Sequence, residues 1–167
     1  IRKLGYHPIW IEVIAEDEVT SQKYELRVTR AEPNTDATLK SLTVQDQDGT
    51  AIKTLAFHPD ETSYTLTVPY ETTGVSFTPT ANYGGATIQI QQKGAIGSLP
   101  STVPSGNTSK VFQLDDPGKE RAFEITVTAE DGKTQKTYTL RFTREQPSSD
   151  ARLKGLKVQN VDEFTPV

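Results

Sequence analysis

The sequence predicts an all-β protein whose antiparallel sheets pack as a sandwich of about seven or eight strands, repeated in tandem. Apolar and polar residues alternate with a period of two along most of the chain, which is typical of strands that have one buried and one solvated face. Val, Ile, Leu, Phe, Tyr and Thr dominate these runs, and most of them favour strands. A long segment also occurs twice in the chain, which predicts an array of similar units.

The repeated segment sets the predicted organisation. Residues 9–45 align with residues 123–159 at a constant offset of 114 without a gap, and nineteen of the thirty-seven positions are identical. Each copy runs from the end of one unit into the start of the next. Residues 1–35 are therefore predicted to be the C-terminal strands of a preceding unit, residues 36–149 a complete unit, and residues 150–167 the opening strand of a following unit. We expect the chain to be a piece of a longer array.

Short linkers are predicted between the units. Each unit ends in a Thr-Arg pair and is followed by a short polar segment with one proline, Pro33 in the first linker and Pro147 in the second. Because these segments are short and contain proline, we expect them to hold neighbouring units in a restricted orientation.

The strands of the middle unit follow from the alternation. Their inward faces carry large apolar residues, and Thr, Ser, Gln, Glu or Arg occupy the other face. The predicted inward residues are Leu42, Val44, Tyr64, Leu66, Val68, Val75, Phe77, Ile88, Ile90, Phe112, Leu114, Phe123, Ile125, Val127, Tyr138, Leu140 and Phe142. Six of them are assigned to one buried layer: Tyr64, Leu66, Phe77, Ile125, Leu140 and Phe142.

Turn residues separate the predicted strands. They fall at Asp48-Gly49, Pro69, Gly84-Gly85, Gly94, 104–106, 115–118 and Asp131-Gly132. The last of these predicts the turn of a final hairpin. The equivalent pair in the first unit is Asp17-Glu18, so the turn either tolerates a residue other than glycine or differs between the two units.

Three segments carry a resemblance to a known family: LKSLTV at 39–44, AFHPDETSYTLTVPYETTGVSFTPTA at 56–81 and ITVTAEDGKTQKTYTLRFTR at 125–144. The Phe-x-Pro turn, the Ser-Tyr-Thr strand, the Val-Pro stop and the closing Ala-Glu-Asp-Gly hairpin together resemble the bacterial cadherin-like β-sandwich family of surface and secreted repeat proteins. The resemblance covers residues 39–144 and implies a non-catalytic, immunoglobulin-like sandwich. It further implies a spacer, stalk, filament or adhesion module that is extracellular or on the cell surface. The period of 114 is long for this family, and residues 91–104 are interpreted as an insertion.

Composition and charge argue against several functions. The 18 basic and 22 acidic residues are scattered along the chain and give a net charge of −4. The sequence therefore has no basic stripe that could contact a phosphate backbone, and nucleic acid is not expected as a partner. The chain has no cysteine, which removes disulfides, thiolate metal sites and a thiol nucleophile. No apolar run approaches the ~18 residues that a membrane helix needs, so no membrane contact by this segment is expected.

No catalytic site, metal site or cofactor is predicted. The acidic candidates for calcium are Glu16, Asp17, Asp36, Asp46, Asp48, Glu130, Asp131 and Asp150. A calcium ion needs about six to eight converging oxygens, whereas each linker supplies one aspartate. The only histidines are His7 and His58, and neither a Gly-x-Ser-x-Gly motif nor a zinc-type histidine pair is present. Nucleophile, base and orienting group are therefore not found together.

Carbohydrate binding is the alternative function, with Tyr70, Tyr83 and Trp10 as candidate residues. Tyr70 follows Pro69 and Tyr83 lies in an Asn-Tyr-Gly-Gly segment, so both are predicted in loops, where binding residues concentrate. Trp10 is out of phase with its apolar neighbours and is expected either to be exposed or to cover the neighbouring unit. Asn107 begins an Asn-Thr-Ser motif that is a glycosylation acceptor if the source is eukaryotic.

Neighbouring repeats of the same protein are the expected partners. The two chain ends are incomplete units with apolar faces, and isolated strands of this kind are marginal in water. The C-terminal strand of one molecule is predicted to complete the N-terminal hairpin of the next, a head-to-tail contact that propagates as a chain. The alternative is that the two ends pack on the middle unit or were cut from a larger assembly.

Overall fold

The computed structural model describes residues 7–94, 97–153 and 155, and all of its regular elements are strands. In chain order they are β1 (His7–Ile14), β2 (Ser21–Val28), β3 (Leu39–Asp46), β4 (Ser63–Val68), β5 (Gly74–Ala81), β6 (Thr87–Gln92), β7 (Ser101–Thr102), β8 (Phe112–Gln113), β9 (Glu120–Thr128) and β10 (Gln135–Arg144). The predicted all-β class is confirmed. Within the described residues, no helix is long and apolar enough to span a bilayer.

Three sheets contain these strands. A hairpin of β1 and β2 forms the first, the order β4-β10-β9-β6-β7 forms the second, and the order β3-β5-β8 forms the third. The second and third sheets pack face to face, since Phe77 of β5 lies 5.2 Å from Phe123 of β9 and 6.1 Å from Phe142 of β10, measured between ring centroids. Eight strands therefore build the sandwich.

One pairing differs from the antiparallel expectation. β10 lies antiparallel to β9 but parallel to β4, with Leu140 opposite Tyr64 and Arg144 opposite Val68. The chain crosses over from β3 in the other sheet before it forms β4, and β4 runs in the same direction as β10. The alternation identifies the face that a strand buries, but it carries no information on the direction of its neighbour.

The core lies between the two sheets, and the predicted register is confirmed. Every predicted inward residue belongs to the buried core except Leu114, which is partly buried and packs against it. The sequence interpretation missed Leu39, which is fully buried, together with smaller core residues such as Ala81 and Val103. These lie at strand ends or in loops, where too few positions are available to show a period.

The hairpins β1-β2 and β9-β10 have the same turn. Glu18 has φ 57° and Gly132, at the equivalent position, has φ 68°. In both turns an aspartate, Asp17 or Asp131, precedes this residue. Its carboxylate accepts a hydrogen bond from the hydroxyl of the threonine three residues later, at 2.6 Å. It also accepts hydrogen bonds from two backbone N–H groups. These hydrogen bonds lower the pKa of both aspartates, and the bond from the threonine hydroxyl is the largest cause. The turn therefore tolerates glutamate in a left-handed conformation, because the aspartate fixes it.

The hairpin β1-β2 exposes the face that β9-β10 buries. Ile11 lies opposite Tyr24 just as Ile125 lies opposite Tyr138, but the first pair is about half exposed and the second is fully buried. At the other end of the described chain, Leu153 is 74% exposed. Most of the predicted opening strand of the following unit lies outside the described residues, so head-to-tail pairing of the chain ends stays a prediction.

Candidate functional sites at the two ends of the sandwich

The chain joins and leaves the sandwich at opposite ends. The proximal end contains residues 34–38, which lead into β3, and the turn before β10. The distal end contains Arg144, which is the last residue of β10, residues 145–146 after it, and the turn after β4. Because β10 has ten residues and a strand rises ~3.3 Å per residue, the two ends lie about 30 Å apart.

Glu130 is the centre of the proximal end. Its Oε2 accepts the backbone N–H of Asn34 at 2.9 Å and the hydroxyl of Tyr83 at 3.1 Å. The backbone N–H of Asp131 donates to the carbonyl of Asn34 at 3.2 Å, so both sides of the Asn34 backbone are held. The hydrogen bond to Glu130 raises the pKa of Tyr83, because the carboxylate favours the protonated phenol.

Asp36 continues this network towards β3. Its Oδ1 accepts the hydroxyl of Thr38 at 2.6 Å and the N–H of Thr38 at 2.8 Å, and its Oδ2 accepts the side-chain amide of Asn82 at 2.6 Å. These bonds, with the Thr38 hydroxyl as the largest cause, lower the pKa of Asp36. Asn34 Oδ1 in turn accepts the N–H of Asp36 at 2.7 Å. Residues 34–38 therefore have a defined path across the end of the sandwich.

Arg144 is the centre of the distal end. Its Nε donates to the carbonyl of Tyr70 at 3.1 Å, Nη2 donates to the same oxygen, and Nη1 donates to the carbonyl of Asp115 at 3.3 Å. The guanidinium carbon lies 5.3 Å from the centroid of the Tyr70 ring, within the range of a cation–π contact. The next residue, Glu145, donates its N–H to the carbonyl of Val68 at 2.9 Å. The departing chain is thus tied to the sandwich as well.

Trp10 lies on β1, away from both of these networks. Its side chain is 61% exposed, which is the first of the two predicted alternatives. Trp10, Glu12 and Lys23 line a shallow depression of about 450 Å³, and Lys23 Nζ lies 3.8 Å from a Glu12 carboxylate oxygen. An open aromatic ring beside polar groups is the kind of surface on which a sugar can stack.

The three aromatic candidates do not form one surface. Tyr70 and Tyr83 lie in loops, as predicted, but at the distal and the proximal end. Tyr83 uses its hydroxyl on Glu130, and the ring of Tyr70 contacts Arg144. Each ring would have to bind a ligand by itself.

The acidic candidates are dispersed in the same way. Among the described residues, no three His, Asp or Glu side chains come close enough to hold a metal ion. Asp46 accepts the N–H groups of Asp48 and Thr50 at 2.9 and 2.8 Å, and Asp150 binds the Arg152 side chain at 2.8 Å. These carboxylates, with Asp17, Asp36, Glu130 and Asp131, accept hydrogen bonds from turns and linkers.

The remaining candidates lie on exposed loops. His58 is exposed, and its Nδ1 accepts the N–H of Asp60 at 3.3 Å; the side chain of His7 lies outside the described residues. Asn107 is exposed after a tight turn at Gly106, whose φ is 81°. The neighbouring Thr108 shares a hydrogen bond with Thr78 at 2.8 Å between hydroxyl oxygens. The glycosylation motif is therefore on the surface, and its use stays a prediction.

The linker role of Glu130 was missed in the sequence interpretation, which considered this residue only as a calcium candidate. The available signal was the recurrence of Ala-Glu-Asp at 15–17 and 129–131. The aspartate of this motif forms the turn, but the glutamate has no role inside the hairpin. A repeated residue without a local role indicates a contact with another part of the chain.

A glycan array with single alanine variants tests the carbohydrate alternative. If the chain binds sugars through stacking, Trp10→Ala is expected to abolish binding, because Trp10 has the most exposed of the three rings and lines an open depression. Tyr83→Ala serves as the control, since that ring is partly buried and hydrogen-bonded. A blank array for the unaltered chain would contradict the alternative.

A model of the cadherin-like beta sandwich domain family matches residues 39–145. The matched segment contains all eight strands of the sandwich, β3 to β10, and confirms the resemblance found in the sequence. No curated protein matches the chain.

Proposed function

Because this chain belongs to the cadherin-like beta sandwich domain family, we propose that it is a non-catalytic repeat that acts as a spacer or stalk in an extracellular or cell-surface protein. Membership of the family itself supports a structural or adhesion-type module, of a kind that is generally non-catalytic and typically extracellular or on the cell surface. The proposed partners are neighbouring units of the same protein. The observation that carries the spacer role is the attachment of the chain at opposite ends, about 30 Å apart.

Both attachments are fixed by hydrogen bonds. At the proximal end, Glu130 and Asp131 hold Asn34. At the distal end, Arg144 holds the Tyr70 loop, and the Gln146 side chain donates to the carbonyl of Pro117 at 3.2 Å. A unit tied at both ends passes tension through its own sheets, which is what a stalk requires.

The strand directions also suit this role. Tension on the chain pulls β3 towards the proximal end and β10 towards the distal end, and each strand is pulled along its own axis. β10 has six paired residues with β4 on one side and nine with β9 on the other. Because these ladders are sheared along their length, their hydrogen bonds resist together and do not open one after another.

Single-molecule stretching tests the proposal. Handles attached to Ile1→Cys and Val167→Cys give unique attachment points, since the chain has no cysteine. We expect one cooperative unfolding event, because the eight strands share one core. Extending residues 39–145 at ~3.5 Å per residue should release about 340 Å of chain beyond the folded length.

The matched control pulls the same molecule at Lys119 and Glu145. Both residues lie at the distal end, before β9 and after β10, so this geometry opens the β9-β10 ladder one pair at a time. Forced unfolding is governed by the unfolding rate, and we expect the end-to-end geometry to need the higher force. Equal forces in the two geometries, or gradual extension from the ends, would contradict the spacer role.

A further inference from the structure

We propose that the proximal end of the sandwich is the surface that holds the preceding unit of the same protein, and that Glu130 is the positioning residue of this joint. The inference deepens the proposed function by naming the contact that sets the orientation between units. The hydrogen bonds that carry it lie within the described chain and do not depend on the proposed role as a spacer.

The backbone of Asn34 is held on both sides. Its N–H donates to the Glu130 carboxylate at 2.9 Å and its carbonyl accepts the N–H of Asp131 at 3.2 Å. Hydrogen bonds to charged groups are stronger than those between neutral groups. Pro33 comes immediately before Asn34 and fixes its own φ. The direction in which the chain leaves the sandwich towards residue 32 is therefore restricted.

Tyr83 contacts the same glutamate. The Tyr83 hydroxyl donates to the same Oε2 of Glu130 at 3.1 Å, so the carboxylate joins the linker to the loop between β5 and β6. A Cβ on Gly85 would lie 2.7 Å from the Tyr83 ring and 3.6 Å from the Glu130 Cβ. Glycine at position 85 thus leaves the room in which the ring and the carboxylate meet.

The end of the preceding unit also reaches this site. A notch of about 310 Å³ is lined by Arg30, Ala31, Glu32, Pro33, Tyr83 and Glu130. Arg30 belongs to the Thr-Arg pair that closes the last predicted strand of the preceding unit and corresponds to Arg144 at the offset of 114. In the complete unit, Arg144 binds the Tyr70 loop. An arginine at this position is therefore suited to tie the distal loops of the preceding unit next to the notch.

The glutamate recurs at the equivalent position of the preceding unit. Glu16 occupies the position of Glu130 in the preceding unit, and it is exposed at the turn of the hairpin. Glu16 would hold the linker that enters the preceding unit, and residues 9–30 do not include that linker. Each unit therefore carries one such glutamate, and in this chain only Glu130 has its linker within reach among the described residues.

The distance between two spin labels tests the inference in the full chain. Labels on Thr29→Cys and Thr65→Cys report the position of the end of the preceding unit relative to the sandwich, and the absence of native cysteines makes the labelling specific. We expect one narrow distance distribution. Glu130→Ala is expected to broaden it, whereas Glu16→Ala, the same change at the equivalent exposed position, should leave it unchanged.

Amide hydrogen exchange gives a second readout that does not depend on the labels. Glu130→Ala should speed exchange at the Asn34 N–H about tenfold or more, because it removes a hydrogen bond to a charged acceptor, while core amides such as that of Phe123 keep their protection. Tyr83→Phe removes one bond to Glu130 and should have a smaller effect of the same kind. Glu130→Gln retains an acceptor and should restore part of the protection.

Two results would overturn the joint. One is a broad label distribution in the unaltered chain; the other is equal behaviour of Glu130→Ala and Glu16→Ala. If Glu130→Ala lost the core protection as well, Glu130→Gln would decide: intact core protection with faster exchange at the Asn34 N–H would keep the joint, whereas loss of core protection or an unchanged Asn34 exchange rate in that variant would overturn it. Low mechanical resistance with a narrow label distribution would instead reject the spacer role and keep the joint.

Discussion

Replacing Phe77 by alanine is expected to lower the free energy of unfolding by about 3–5 kcal/mol. The ring is fully buried in β5 and contacts three other phenylalanines, with ring centroids 5.2–6.1 Å away. They belong to β8, β9 and β10, so the truncation leaves a cavity between the two sheets that no single loop can fill. Urea unfolding, followed by far-ultraviolet circular dichroism, measures the change in the free energy of unfolding.

Thr65→Ala is the matched control for the opposite face. Thr65 is exposed in β4 between buried Tyr64 and buried Leu66, and its loss should cost less than about 1 kcal/mol. Thr139→Ala on β10 is expected to behave in the same way. Similar costs for Phe77→Ala and the two threonine variants would mean that the register is wrong by one residue, since such a slip exchanges the inside and the outside.

Replacing Tyr138 by phenylalanine is expected to cost about 1–3 kcal/mol, although the ring is kept. The Tyr138 hydroxyl is buried, accepts the N–H of Leu39 and donates to the carbonyl of Pro59, both at 3.0 Å. Leu39 is fully buried at the start of β3, so without the hydroxyl its N–H loses this partner inside the protein. The same unfolding measurement detects the loss.

The internal repeat supplies the control for this prediction. Tyr24 has the position of Tyr138 in the preceding hairpin, but it is 54% exposed. Tyr24→Phe should therefore change the free energy of unfolding by only a few tenths of a kcal/mol, within the range of ordinary surface substitutions. An equal loss for Tyr24→Phe would contradict the assignment of the cost to the buried Leu39 N–H.

The interior of the sandwich was predictable because burial leaves a local pattern. In β4, Tyr64, Leu66 and Val68 are buried and the residues between them are exposed, and the same period identifies the inner faces of β9 and β10. Leu39 shows the limit of this pattern. It follows the linker directly, and its backbone N–H donates to the hydroxyl of Tyr138, ninety-nine residues away.

The residues that meet at the proximal end could not be predicted from the sequence. Glu130, Asn34 and Tyr83 are far apart in the chain, and each has an ordinary local explanation as a turn, linker or loop residue. Their convergence depends on where β5, β9 and the linker end in space. The repeated Ala-Glu-Asp motif was an available signal for the glutamate, but a repeat does not identify the partner of a residue.

The sequence by itself determined the all-β class, the inner face of each long strand and the position of the turn in the final hairpin, because side-chain alternation and turn chemistry act over a few residues. Only the tertiary structure decided that β4 runs parallel to β10, that Tyr70 and Tyr83 lie at opposite ends, and that Glu130 binds the linker. These features depend on which distant segments meet when the two sheets close on one core. The physical reason is that a hydrogen bond between distant segments, such as that from Asn34 to Glu130, leaves no period in the sequence around either residue.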